Sequence, residues 1–137
     1  MKIVLDTNVL LQSISRRTEH FWIWEAIQKQ KLTLCVTTDI LDEYHEQIYF
    51  FYQSRELADH VLDTILSLEN LVRVEKYYFW NIPYKDEDDQ KFVDCYVACG
   101  AEYLVSEDKV FFKEANKIPF LNIRPIKAKD FKTLIFK

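Results

Sequence analysis

Four acidic residues stand in settings where a carboxylate could do chemistry. Asp6 follows the run Met1-Lys2-Ile3-Val4-Leu5 and precedes Thr7-Asn8. Glu43 lies inside Thr37-Thr38-Asp39-Ile40-Leu41-Asp42-Glu43-Tyr44. Asp89 closes Asp86-Glu87-Asp88-Asp89, and Asp108 follows Tyr103-Leu104-Val105-Ser106-Glu107. Each falls where an apolar strand is expected to end or a helix to begin. Carboxylates drawn together repel one another and are costly to bury. A bound divalent cation offsets that cost, so convergence of the four implies a metal site. Hard cations such as Mg²⁺ and Mn²⁺ prefer oxygen donors, and Mg²⁺ keeps several of its waters. A carboxylate set without histidine or cysteine suits them.

The elements that must position these acids can be read from periodicity. Residues 2–5 form a short buried strand, after which Thr7 and Asn8 offer turn or capping chemistry. Residues 19–30 put Phe21, Trp22, Trp24 and Ile27 on one broad apolar face, which predicts a helix. A second strand is expected over 32–37, with Thr38 as N-cap of a helix over 39–51. Another helix covers 55–69, and a short strand covers 71–74. An aromatic-rich connection, 77–84, leads to a helix that starts at Asp88 or Asp89 and runs to Cys99. Its apolar stripe is Phe92, Val93, Tyr96 and Val97, and Gly100 follows as the C′ residue. Residues 103–106 are the next strand, a short helix follows Asp108, 120–123 is a last strand, and a terminal helix begins near Lys127.

Strands alternating with helices argue for an α/β fold with a mostly parallel sheet covered on both faces. Ligands of such sheets bind outside the carboxyl ends of the strands. Asp6 and Asp108 lie just past strands, and Glu43 and Asp89 lie near the starts of helices. All four can therefore face one edge.

Composition narrows the alternatives. The 137 residues suffice for one domain with a real core. A chain that is 49% hydrophobic and 15% aromatic is no disordered acidic tail. With one glycine, phosphate-cradling glycine loops are absent. No apolar run approaches the roughly 20 residues of a membrane span. A charge interrupts the first apolar run too early for a signal peptide, so a cytoplasmic protein is expected. Cys35, Cys95 and Cys99 are expected to be buried free thiols. No histidine stands at ligand spacing from them, so zinc is not expected. His20, His45 and His60 are expected on the surface or on helices. The net charge of −4 hides an asymmetry. Residues 1–108 carry 10 Lys or Arg against 20 Asp or Glu, a balance of −10, whereas residues 109–137 carry 8 against 2, a balance of +6. The basic end could meet a polyanion.

The four motifs, in order and spacing, resemble the PIN domain, a family of small metal-dependent nucleases, and within it the prokaryotic toxin-like (VapC-like) branch. The resemblance rests on Leu5-Asp6-Thr7-Asn8, on Thr38-Asp39-Ile40-Leu41-Asp42-Glu43, on Asp86-Glu87-Asp88-Asp89-Gln90-Lys91-Phe92 and on Leu104-Val105-Ser106-Glu107-Asp108-Lys109. It runs from about residue 1 to residue 130. It implies a three-layer α/β/α sandwich, with residues 1–137 as a single nuclease domain. It further implies Mg²⁺- or Mn²⁺-dependent hydrolysis of RNA phosphodiester bonds, with Asp6, Glu43, Asp89 and Asp108 as catalytic metal ligands. An antitoxin protein and a homodimer are implied partners, and a membrane is not.

Several positions stay open. Asp88 and Asp94 compete with Asp89 for the third carboxylate. Thr7, Asn8 and Ser106 are the polar neighbours placed to orient the acids or a bound phosphate. Glu107 stands where the family often has glycine or a basic residue, and would add charge beside the site. Arg16, Arg17, Lys91, Lys109 and Lys113 are candidates for backbone phosphates of the substrate. Trp80 with Tyr77, Tyr78 and Phe79 could stack on bases. The stretch Tyr44 to Tyr52 could pack under the next helix or form an interface. A non-catalytic RNA- or protein-binding module is the competing reading. A phosphotransferase using Asp6 as nucleophile is disfavoured by Asn8, since such enzymes want a second aspartate there.

Overall fold

Leu5 ends the first strand, and at that point the chain must turn from a buried sheet into a helix; this turn organises the molecule. The structure is a computed structural model that describes residues 1–75, 87–115 and 122–136. In chain order its elements are β1 (Lys2–Leu5), α1 (Thr7–Ser13), α2 (Phe21–Gln28), β2 (Thr33–Val36), α3 (Thr38–Tyr52), α4 (Arg55–Leu66), β3 (Val72–Arg73), α5 (Glu87–Cys99), β4 (Tyr103–Val105), α6 (Lys109–Ala115), β5 (Pro125–Ile126) and α7 (Ala128–Ile135). The five strands form one sheet in the order β3-β2-β1-β4-β5, and every pairing is parallel. Helices flank it, giving the expected α/β/α sandwich.

Register fixes what lies at the sheet's carboxyl edge. Leu5 pairs with Val105, and Val105 with Ile126. The Asp6 amide then donates to the Val105 carbonyl at 3.0 Å and the Ser106 amide to the Ile126 carbonyl at 3.0 Å. Asp6 and Ser106 thus leave adjacent central strands side by side. The strand order reverses between β1 and β4, and crevices of open parallel sheets form at such switch points.

The buried strands are continuous apolar runs, as parallel strands covered on both faces must be. Ile3, Val4, Leu5, Leu34, Cys35, Val36, Leu104 and Val105 are all inaccessible to solvent. Phe92 of α5 meets Phe111 of α6 edge to face, with centroids 6.4 Å apart. Trp22 meets Phe131 and Phe136 at 5.6 and 5.3 Å, tying α2 to α7. The three cysteines are free and buried.

Several expectations shift. Thr7 and Asn8 do not end in a turn; they start α1, which Asp6 caps by accepting from the Thr7 amide. Its seven residues were too few for a periodic signal. The cap of α3 is Thr37, whose side chain accepts from the Ile40 amide, and not Thr38, which is already helical. The fourth helix stops at Leu66 and not at residue 69. The last strand is Pro125–Ile126, so Asn122 and Ile123 are not strand; Asn122 has a φ of 50° that breaks an extended run. Phe120 and Leu121 lie outside the described residues, as does the aromatic connection with Tyr77, Tyr78, Phe79 and Trp80. Gly100 follows α5 with a φ of 68°. An added Cβ there meets nothing within 4 Å, so the left-handed backbone alone favours glycine. His20, expected on the surface or on a helix, is 9% exposed and stands at the N-cap of α2. Among the described residues, no helix is long and apolar enough to cross a membrane.

Candidate active site

Asp6 is 7% exposed at the end of β1, and both of its oxygens are used. Oδ1 accepts from the Thr7 amide at 2.8 Å. Oδ2 accepts from the Ser106 hydroxyl at 2.7 Å. Ser106 is fully buried, and its Oγ in turn accepts from the Asp108 amide at 2.9 Å. One hydroxyl therefore joins the carboxylate after β1 to the backbone of the acid after β4. Asp108 itself caps α6, with Oδ1 accepting from the Val110 amide at 3.0 Å. Capping uses one lone pair of a carboxylate oxygen and leaves others for a ligand.

Glu43 arrives from α3, which two tyrosines pin in place. The Tyr44 hydroxyl donates to the Leu5 carbonyl inside the core. Eight residues on, the Tyr52 hydroxyl donates to the Leu11 carbonyl at 2.6 Å. These bonds fix α3 against the β1–α1 turn and bring Glu43 to Thr7, whose hydroxyl donates to Glu43 Oε2. Glu43 Oε1 lies 2.6 Å from the Lys91 ammonium. Lys91, a candidate for substrate phosphates in the sequence, is thus paired with an acid of the site.

Asp6, Thr7, Asn8, Glu43, Gln47, Asp89, Phe92 and Asp108 line one cleft of about 160 Å³. It opens at the carboxyl edge of the sheet, beside the switch point. Four carboxylates far apart in the chain have therefore been brought to one place. Asp94, by contrast, is 3% exposed, accepts from the Gln90 side chain at 2.9 Å and does not line the cleft. Asp88 stands in the first turn of α5, and its side chain lies outside the described residues. Glu107 turns away: its Oε1 accepts from the Ala128 amide at 3.1 Å, capping α7. The N-cap position of that helix is Lys127, which offers no side-chain cap of its own. Arg16, Arg17, Lys109 and Lys113 are exposed.

Burial pushes the Asp6 carboxyl above its ordinary value, and the charges of Asp108 and Glu43 push it the same way. The bonds from Ser106 and Thr7 oppose the rise without cancelling it. A cation bound beside Asp6 would favour its ionised form against that burial. Among the described residues, no three carboxylate, imidazole or thiolate side chains stand close enough to clasp an ion as they are. The donor set suits a hard cation that keeps part of its water shell.

Gln47 and Phe92 were not singled out as site residues. Gln47 stands one helical turn beyond Glu43, a spacing that places both on one face. Phe92 belongs to the apolar stripe of its helix and serves as core and cleft wall at once.

One solved structure with a similar chain is the crystal structure of VapBC2 from Rickettsia felis bound to a DNA fragment from their promoter. The match has a TM-score of 0.61 and 19% identity, and covers 93% of this chain and 98% of that one. At that identity the likeness is one of fold. No curated protein matches the chain. The family profile described as PIN domain matches residues 2–110. That span contains all four cleft carboxylates, and by it the chain belongs to the PIN domain family.

Proposed function

We propose that this protein is a Mg²⁺- or Mn²⁺-dependent endoribonuclease, the toxin half of a toxin–antitoxin pair. The observation that carries the proposal is the meeting of Asp6, Glu43, Asp89 and Asp108 in one cleft at the sheet's switch point. These four would hold the metal. Asp89 is chosen over Asp94 because it lines the cleft and Asp94 does not; Asp88, whose side chain lies outside the described residues, stays a competitor. When bound, the cation would supply an activated water and charge neutralisation at the scissile phosphate.

The chain's own groups do the rest. Ser106 donates to the Asp6 carboxylate and accepts from the Asp108 amide, so it ties Asp6 to the backbone that carries Asp108. Thr7 links Asp6 to Glu43 through its amide and its hydroxyl. Tyr44 keeps the helix of Glu43 in register with β1. Exposed Asn8 at the cleft rim can donate to a phosphate oxygen. Positioning of this kind is the protein's share of phosphoryl chemistry.

The toxin reading brings a partner protein and a second copy of the chain with it. The run from Tyr44 to Tyr52 divides accordingly. Tyr44 and Ile48 are buried, whereas Tyr49, Phe50 and Phe51 expose 52, 77 and 65% of their surface, apolar area that a partner could cover.

The test is cleavage of a mixed RNA pool by purified protein in Mg²⁺ or Mn²⁺. Asp6→Asn and Asp108→Asn should each abolish it. Cleavage undiminished in Asp6→Asn, with clean metal controls, would sink the assignment. Tight RNA binding without turnover at any concentration of either ion would favour the non-catalytic module.

A further inference from the structure

The acids of the cleft do not face one another unopposed. Lys91 lies in the second turn of α5, two residues beyond the cleft-lining Asp89. Its ammonium sits 2.6 Å from Glu43 Oε1, with 15% of the lysine side chain and 19% of the glutamate side chain exposed. Such a pair is only weakly screened by solvent, and charge-assisted bonds of this length are the strong ones. The other oxygen of Glu43 accepts from Thr7. Both oxygens of Glu43 are thus engaged from within the chain. Among the described residues, no three acids are close enough together to clasp an ion as they stand.

An ammonium and a divalent cation repel each other and cannot share one lone pair of one carboxylate oxygen. We propose that Lys91 is a built-in competitor for the metal: it holds Glu43 and offsets the cleft's negative charge in the metal-free protein, and it must leave Glu43 Oε1 when a divalent cation takes that oxygen. This rests on the metal-dependent reading above and adds a residue that sets the metal affinity. Lys91 is a positioning residue here, acting on the metal site through Glu43. Metal affinity is then lower than the four carboxylates alone would provide, and the metal-free fold is more stable.

Isothermal titration with Mn²⁺ alone, at fixed pH and ionic strength and without RNA, tests this on the full chain. Lys91→Met should bind Mn²⁺ on the order of tenfold tighter, a change of 1.4 kcal/mol. Lys91→Arg, which keeps charge and donors, should stay near the parent. Lys109→Met removes an exposed cation beside Asp108 and controls for net charge; its gain should be under about threefold, since exposed charges are screened. In a Glu43→Gln background the gain from Lys91→Met should vanish, as a direct pair requires. An unchanged or weaker affinity in Lys91→Met, an equal gain in Lys109→Met, or a gain that survives Glu43→Gln would each overturn the proposal.

Should Lys91→Met fail to fold, the unsubstituted protein supplies the measurement. Amine acylation mapped by mass spectrometry should rise at Lys91 on adding Mn²⁺, relative to Lys113. Labelling at Lys91 that ignores Mn²⁺ would overturn the proposal. The two readings fail differently. If Mn²⁺ binds and RNA is cleaved but Lys91→Met does not tighten binding, only the competition is wrong. If Mn²⁺ does not bind even at millimolar concentration, the metal-dependent reading falls and the competition with it.

Discussion

Ser106→Ala should destabilise the protein by about 2–3 kcal/mol, and charge assistance should account for the excess over an ordinary buried serine. The hydroxyl is fully buried, donates to a buried carboxylate at 2.7 Å and accepts from the Asp108 amide at 2.9 Å. A hydrogen bond to a charged group contributes about 1.5–3 kcal/mol, against about 1 kcal/mol for a neutral one. Ser13 is the internal control. It too is fully buried, and its hydroxyl donates to the neutral Val9 carbonyl at 2.6 Å. Ser13→Ala should therefore cost about 1 kcal/mol. Urea unfolding in EDTA at pH 7 measures both. At this chain length about 2 kcal/mol lowers the melting temperature by about 8 °C. The excess should also shrink in acid. The Ser106 hydroxyl favours ionised Asp6, so its extra contribution is present above the raised carboxyl pKa and is lost as pH falls through it. A Ser106→Ala cost equal to that of Ser13→Ala, or an excess that persists unchanged in acid, would refute the reasoning.

The remaining predictions concern the same site and its supports. Asp6→Asn should lose RNA cleavage yet be at least as stable as the parent at pH 7 in EDTA. Burial raises the Asp6 carboxyl, so ionised Asp6 opposes folding above that pKa, and thermal unfolding across pH should show the variant's advantage fading on acidification. Tyr44→Phe removes the buried donor to the Leu5 carbonyl and should cost about 1–3 kcal/mol in urea. It should also lower kcat for cleavage, because the helix carrying Glu43 loses its tie to β1. Phe111→Ala empties a fully buried site against Phe92 and should cost about 3–5 kcal/mol by the same assay. Phe50→Ser, at 77% exposure, should change stability by no more than about 0.5 kcal/mol, and a large loss would show that the residue is covered in the isolated chain.

Much of the architecture was legible because periodicity reports burial directly. The mostly apolar runs expected at 2–5, 32–37 and 103–106 show no regular polar face, which is how parallel strands covered on both sides must read. The helix of Phe92, Val93 and Tyr96 showed its stripe, and Gly100 marked its end. The shortest elements were not legible. The seven residues of α1 complete too few turns to show a period. The two-residue β5 is placed by pairing with Leu104 and Val105, not by its own composition. Caps were ambiguous wherever two polar residues adjoin, as at Thr37 and Thr38, because only backbone geometry says which one is still extended.

The site divides in the same way. Residue type and order drew attention to Asp6, Glu43, the acidic cluster ending at Asp89, and Asp108, and the family resemblance gave them a shared role, although an aspartate at a helix start can also serve only as a cap. The carboxylate-only donor set of these motifs suits a hard cation. Only the tertiary structure could separate Asp89, on the cleft wall, from Asp94, buried five residues along the same helix. A helix advances 100° per residue, so small differences in its setting against the sheet decide which acid looks into the cleft. Only the tertiary structure could turn Glu107 away to cap α7, or aim Lys91 at Glu43 across 48 positions of sequence. Sequence carries charge and period; direction belongs to side chains, and it is set by what the rest of the fold packs around them.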